Sequence, residues 1–191
     1  MDDTGGPATA DEQVRAAANG PAAADELVRA VEAGDEAALT RLLGRGVPAD
    51  APDRDGRTAL DLAVREGREG AVRVLLAAGA DPEQATGPYD EELPLVQAAT
   101  RGHTGIVRRL LAAGADPDRA NGLRATALGR AGAEGHTETA RVLLEHGADP
   151  RLRWKGRLPA DWAARFGRTG TAEFLRTRAA GPDRRGPGVP A

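Results

Sequence analysis

Asp53-Arg54-Asp55-Gly56-Arg57-Thr58-Ala59-Leu60-Asp61-Leu62-Ala63-Val64-Arg65-Glu66-Gly67, continued by Arg68-Glu69-Gly70-Ala71-Val72-Arg73-Val74-Leu75-Leu76-Ala77-Ala78-Gly79-Ala80-Asp81-Pro82, reads as two short helices behind one polar turn. Asp53 to Gly56 has turn chemistry. Thr58 is placed to cap a helix over about 58–66, whose first amide hydrogens have no partners of their own. Leu60 and Ala63, three apart, share a face, and Gly67 tolerates the positive φ that stops a helix. A second helix follows over about 69–78. Val72, Leu75 and Leu76 stand at i, i+3 and i+4, an apolar helical stripe. Gly79 ends it, and Pro82 cannot continue it.

The same pattern recurs along the chain. Leu-Leu-x-x-Gly begins at Leu42, Leu75, Leu110 and Leu143, with spacings of 33, 35 and 33. Gly34, Gly67, Gly102 and Gly135 keep those spacings, and Gly-Ala-Asp-Pro ends units at Pro82, Pro117 and Pro150. Three markers that keep one period and share one two-residue slip define a tandem repeat. Helices this short are marginal in isolation. Stacked side by side, their apolar stripes bury one another, and Ala30, Ala63, Ala98, Ala131 and Ala163 at equivalent places permit close approach. The fold class that follows is all-α, a short solenoid of helix pairs with projecting turns.

These residues resemble ankyrin repeats. The second unit carries Asp53-x-x-Gly56-x-Thr58-Ala59-Leu60-x-x-Ala63-x-x-x-Gly67, then Val72, Leu75-Leu76 and Gly79-Ala80-Asp81. The third carries Leu93-Pro94-Leu95, Ala98-Ala99, Gly102-His103 and Ile106-Val107, and the fourth Thr126-Ala127-Leu128, Gly135-His136 and Val142-Leu143-Leu144. The resemblance covers about four-fifths of the chain and implies an ankyrin stack of about five helix-turn-helix units with β-turn tips. Their bounds are about 21–52, 53–87, 88–120, 121–152 and 153–180, with tails 1–20 and 181–191 expected to lack fixed structure. The family's first-helix motif is Thr-Pro-Leu-His. Here its His is replaced by Asp61, Val96, Gly129 and Asp161, which removes a group that ties neighbouring loops in the family. Gly129 and Gly132 each cost about 1 kcal/mol of helix propensity, so residues 126–134 are expected to be the least protected part. Asp25 and Glu26 in the first unit and Arg176 in the last suit end caps with a wet outer face.

By the same resemblance, ankyrin proteins bind other proteins with their turn tips and first helices. In this chain those places are Arg54, Asp55, Arg57, Arg65 and Glu66; Tyr89, Asp90, Glu92 and Arg101; Leu123 and Glu134; Trp154, Lys155, Arg157, Arg165 and Phe166. Trp154, Phe166, Tyr89 and Leu123 have the size of interface anchors. Trp154 and Phe166 also suit a cover for the C-terminal cap, and Tyr89 a loop insertion. Trp162 falls where this fold packs its core. His103 and His136 hold equivalent Gly-His-Thr places, 33 apart, which marks them as structural.

Composition narrows the work such a surface can do. The 191 residues contain no Cys, no Ser, one Lys and three His. Disulfides, thiolate metal sites and Ser or Cys nucleophiles are excluded, so no enzyme, metal or cofactor is expected. Net charge is −3, but residues from Arg151 onward carry +7 and the first 150 carry −10. The basic end suits an acidic protein partner, and equally a solvated cap whose arginines follow from a compositional bias. Aromatics at 3% are too few for a nucleic-acid stacking surface, and no run is apolar enough to span a membrane. The expectation is a monomeric, cytoplasmic, non-catalytic module that binds an intracellular protein. The alternative is a dedicated inhibitor or immunity protein blocking one enzyme or toxin.

Overall fold

A computed structural model describes residues 21–87 and 92–180. The expected tails, and Tyr89 and Asp90, lie outside the described residues. Ten helices occur among those described: α1 (Pro21–Ala33), α2 (Glu36–Gly44), α3 (Ala59–Arg65), α4 (Glu69–Ala77), α5 (Pro94–Arg101), α6 (Thr104–Ala112), α7 (Ala127–Glu134), α8 (Thr137–Glu145), α9 (Pro159–Arg165) and α10 (Thr169–Ala179). They form five antiparallel pairs. First helices pack on first helices, in the order α1, α3, α5, α7, α9, and second helices pack on second helices.

The helix starts follow from their side chains. Thr58 Oγ1 accepts the Asp61 N–H at 3.1 Å, and Thr126 Oγ1 accepts the Gly129 N–H at 3.1 Å. Each such cap is worth about 1 kcal/mol. Leu158 has no capping hydroxyl, and there the Asp161 carboxylate reaches back to the Leu158 N–H at 3.1 Å.

The core is continuous from Leu27 to Leu175. Leu39, Leu75, Leu110 and Leu143 from the second helices are fully buried, as are Leu60 and Leu128 from the first. Each contributes about 1.5–3 kcal/mol. The five equivalent alanines are all buried, and their small size brings the first-helix row together. Gly132 takes this furthest. A Cβ there would stand 2.8 Å from the Pro159 carbonyl oxygen and 3.1 Å from Leu175 Cδ1. The residue that weakens α7 as an isolated helix is therefore the one that lets α9 dock on it.

The loss of the family's His is offset elsewhere. Asp61, in that slot, accepts bonds from Gln97 Nε2 of the next unit at 3.0 Å and from Thr86 Oγ1, in the loop that leads to that unit, at 3.1 Å. A second row of ties runs along the loops that end each pair. Asp50, Glu83 and Asp118 accept the backbone N–H of Asp81, Asp116 and Asp149, at 3.0, 2.7 and 2.8 Å. A third row joins the start of each second helix to the preceding unit. Arg68 donates to the Glu32 carbonyl at 3.3 Å, His136 Nε2 lies 3.1 Å from the Thr100 carbonyl, and His103 bonds to the Arg65 backbone. His103 and His136 thus have the structural role that their repetition indicates.

Candidate functional site

The turns that precede the first helices share one backbone frame. Asp53 N–H donates to Arg57 O at 2.9 Å, Thr86 N–H to Glu92 O at 3.0 Å, Asn121 N–H to Ala125 O at 3.1 Å and Trp154 N–H to Arg157 O at 3.0 Å. Asp53 and Asn121 reinforce the frame with their side chains, which accept the Arg57 and Ala125 N–H at 2.8 and 3.0 Å. Trp154 has no such acceptor, and its turn is one residue shorter. Lys155 and Gly156 have φ of 47° and 76°, as a two-residue primed hairpin turn requires.

This frame corrects the expectation for Trp154. It stands at the base of its turn, not at the tip, and is only 8% exposed. Its ring packs 4.6 Å from Trp162 over Ala125 and Ala133, whose small side chains leave the space. The Trp154 indole N–H donates to Leu123 O at 3.2 Å, and that of Trp162 to Trp154 O at 2.9 Å. Phe166 stacks on Trp162 at 5.9 Å and 15°, but remains 52% exposed. Leu123, at its turn tip, is 50% exposed. Trp154, Trp162 and Phe166 therefore form one row in which burial decreases outward.

Between the third and fourth units the first helices and turns enclose a cleft of about 310 Å³. Arg101, Leu123, Glu92 and Trp154, all among the candidate residues, line it, together with Val96, Gln97 and Arg130. Sequence reasoning missed the last three. Arg130 lies four residues before Glu134, so helical register was the available signal. Its guanidinium lies 5.4 Å from the Trp154 ring and donates to Thr100 Oγ1 at 3.1 Å. Gln97 Nε2 donates to Asp61 and Glu92, which holds both carboxylates to one wall.

The remaining candidates lie along the same row of turns and helix ends. Arg54 pairs with Asp25 of the first unit at 3.2 Å, and Arg65 approaches Asp61 at 3.9 Å. Arg57 pairs with Asp53 at 2.7 Å and Asp55 at 3.3 Å. Glu66 pairs with Arg68, and Glu134 with Arg130. Lys155, Arg157 and Arg165 are exposed.

Burial pushes the Asp53 carboxyl upward, but hydrogen bonds from the Arg57 side chain and from the Arg57 and Asp55 backbone outweigh it and hold the pKa below 3.8. A depressed native pKa gives stability that is present above 3.8 and is lost as the pH falls through the folded value. Asp53→Asn should therefore lose stability at neutral pH, and the gap from the parent should close below pH 3.8. Urea denaturation across that range measures it. Asp50 and Asp118 have the opposite sign, since burial raises both despite the N–H bonds they accept. Burial, followed by the Arg101 charge, lowers His103, and its hydrogen bond to the Arg65 backbone opposes that shift.

The family models agree with this architecture. Ankyrin repeats (many copies) match residues 27–83, and Ankyrin repeats (3 copies) match residues 88–185, slightly more than half of the chain by itself. The chain belongs to the ankyrin repeat family. No curated protein matches it in sequence. Ankyrin repeats are generally protein–protein interaction modules and generally non-catalytic. Among the described residues no group of three or more His, Asp or Glu is placed to hold a metal ion, and no helix is long and apolar enough to cross a membrane.

Proposed function

We propose that the chain is a non-catalytic binding module that docks an intracellular protein across its turn tips and first helices. The observation that carries this reading is the cleft between the third and fourth units, where exposed Leu123 and Arg101 flank a half-polar wall. A rigid frame of ties holds that wall, so little conformational entropy is lost on docking. Exposed apolar groups beside an arginine have the composition of an interface anchor.

The test is retention of partner protein by the immobilised full chain and by its variants. Leu123→Asp with Arg101→Glu should abolish retention while helicity is unchanged. Glu145→Lys, on the exposed side of α8, should leave it intact. Loss in the control alone, or retention by the double variant, refutes the surface. One tight stoichiometric partner marks a dedicated inhibitor, and several weaker ones mark an adaptor.

A further inference from the structure

Ion pairing is unevenly distributed along the stack. Through the second, third and fourth units, arginines meet carboxylates, often across units: Arg73 with Glu36 at 3.0 Å, Arg109 with Glu69 at 3.0 Å, Arg119 with Glu83 at 2.8 Å and Arg108 with Glu138 at 3.2 Å. Beyond residue 152, no described Arg or Lys lies within 4 Å of a described carboxylate oxygen. Two of the cations there stand instead over the aromatic row. Lys155 Nζ stands 5.8 Å from the Trp154 ring, and the Arg157 guanidinium 5.5 Å from Trp162. Arg130 approaches Trp154 from the other side at 5.4 Å, and its own carboxylate contact, to Glu134, is long at 3.7 Å. The carboxylate nearest in sequence, Asp161, is engaged with the Leu158 N–H.

Resting on the docking-face reading above, we infer that the C-terminal third of this row of turns and first helices binds an acidic protein segment carrying an aromatic or large aliphatic side chain. Two features define that partner. Guanidinium groups laid over aromatic rings keep their N–H edges outward, where they match carboxylates in fork geometry. Lys155 and Arg157 have no carboxylate partner among the described residues, and the Arg130–Glu134 contact is long, so a partner's carboxylate meets Lys155 and Arg157 without breaking an existing pair. The exposed half of Phe166 and the exposed Leu123 then supply apolar contact for the non-acidic side chain. The eight Arg or Lys against two Asp or Glu over residues 151–180 steer such a segment toward the end of the stack where this row lies. A nucleic acid also carries the charge, but the outward stacking area is reduced to Phe166, since Trp154 and Trp162 are covered.

The experiment selects peptides from a random display library on the full chain and measures their affinity by fluorescence of Trp154 and Trp162, the only two Trp present. The expected peptides are rich in Asp and Glu with one aromatic or large aliphatic residue. Their affinity should fall roughly tenfold or more in Lys155→Asn with Arg157→Glu, and fall steeply in the parent between about 50 and about 500 mM salt. Asn suits the positive φ of position 155, and the salt series on the parent needs no variant to fold. Selected peptides that are neutral or basic, affinity indifferent to both changes, or single-stranded DNA bound more tightly than the peptides would overturn the inference. Non-acidic peptides that are lost in Leu123→Asp with Arg101→Glu overturn it and leave the docking face standing. Peptides indifferent to every one of these substitutions, or no enrichment at all, overturn both.

Discussion

Gly132→Val is expected to destabilise the chain by about 3 kcal/mol, although valine is a better helix former than glycine. A Cβ at position 132 would stand 2.8 Å from the Pro159 carbonyl oxygen. That atom is backbone, in the first turn of α9, and cannot yield unless the helix moves. Leu175 Cδ1, at 3.1 Å, closes the other side. Valine adds two further carbons to this space, so the fifth unit must shift off α7. Gly132→Ala should change in the same direction by less, since its gain of about 1 kcal/mol in propensity opposes the clash. Gly170→Ala is the control. It lies in α10 with open space where a Cβ would go, and should gain up to about 1 kcal/mol. Urea midpoints of the four proteins decide this. A Gly132→Val variant as stable as the parent would mean that α7 and α9 do not approach this closely.

Leu110→Ala should cost about 2–5 kcal/mol. The side chain is fully buried in α6, at the middle of the second-helix row, with α4 on one side and α8 on the other. Truncation removes apolar contact to both neighbours at once. The half-exposed ion pairs Arg109–Glu69 and Arg108–Glu138 add only weak ties from α6 to the flanking helices, so the loss is expected to come from the core contacts. Leu111, adjacent in sequence but at 9% exposure near the edge of the core, should cost less on the same substitution. Equal losses at the two positions would contradict the core as described.

Helix positions were legible because they depend on local signals. Thr58 and Thr126 cap, Gly67 and Gly79 stop, and the Val72–Leu75–Leu76 stripe repeats at fixed spacing. Trp154 was misplaced because the fifth turn is one residue shorter than the second and fourth. Counting from the helix start put it at a tip, whereas backbone pairing with Arg157 puts it at the base. The alanines beneath it, Ala125 and Ala133, were visible in the sequence, but their proximity to two indoles is a through-space fact. Gly132 illustrates the same limit. Propensity describes an isolated helix, and the reason for the glycine is a carbonyl 27 residues away in the chain. The cleft was half legible. Leu123 and Arg101 followed from the turn and helix-end positions, while Arg130 and Gln97 project from helix faces whose direction only the stacking fixes.

The claim beneath all of this is that each unit is held by its neighbours. Native-state hydrogen exchange of the parent and of Leu110→Ala tests it most directly, because it reports every helix separately. Coupled units predict that protection falls in α3, α4, α7 and α8 together with α5 and α6. Protection lost in α5 and α6 alone, with the flanking pairs as slow as in the parent, would contradict it.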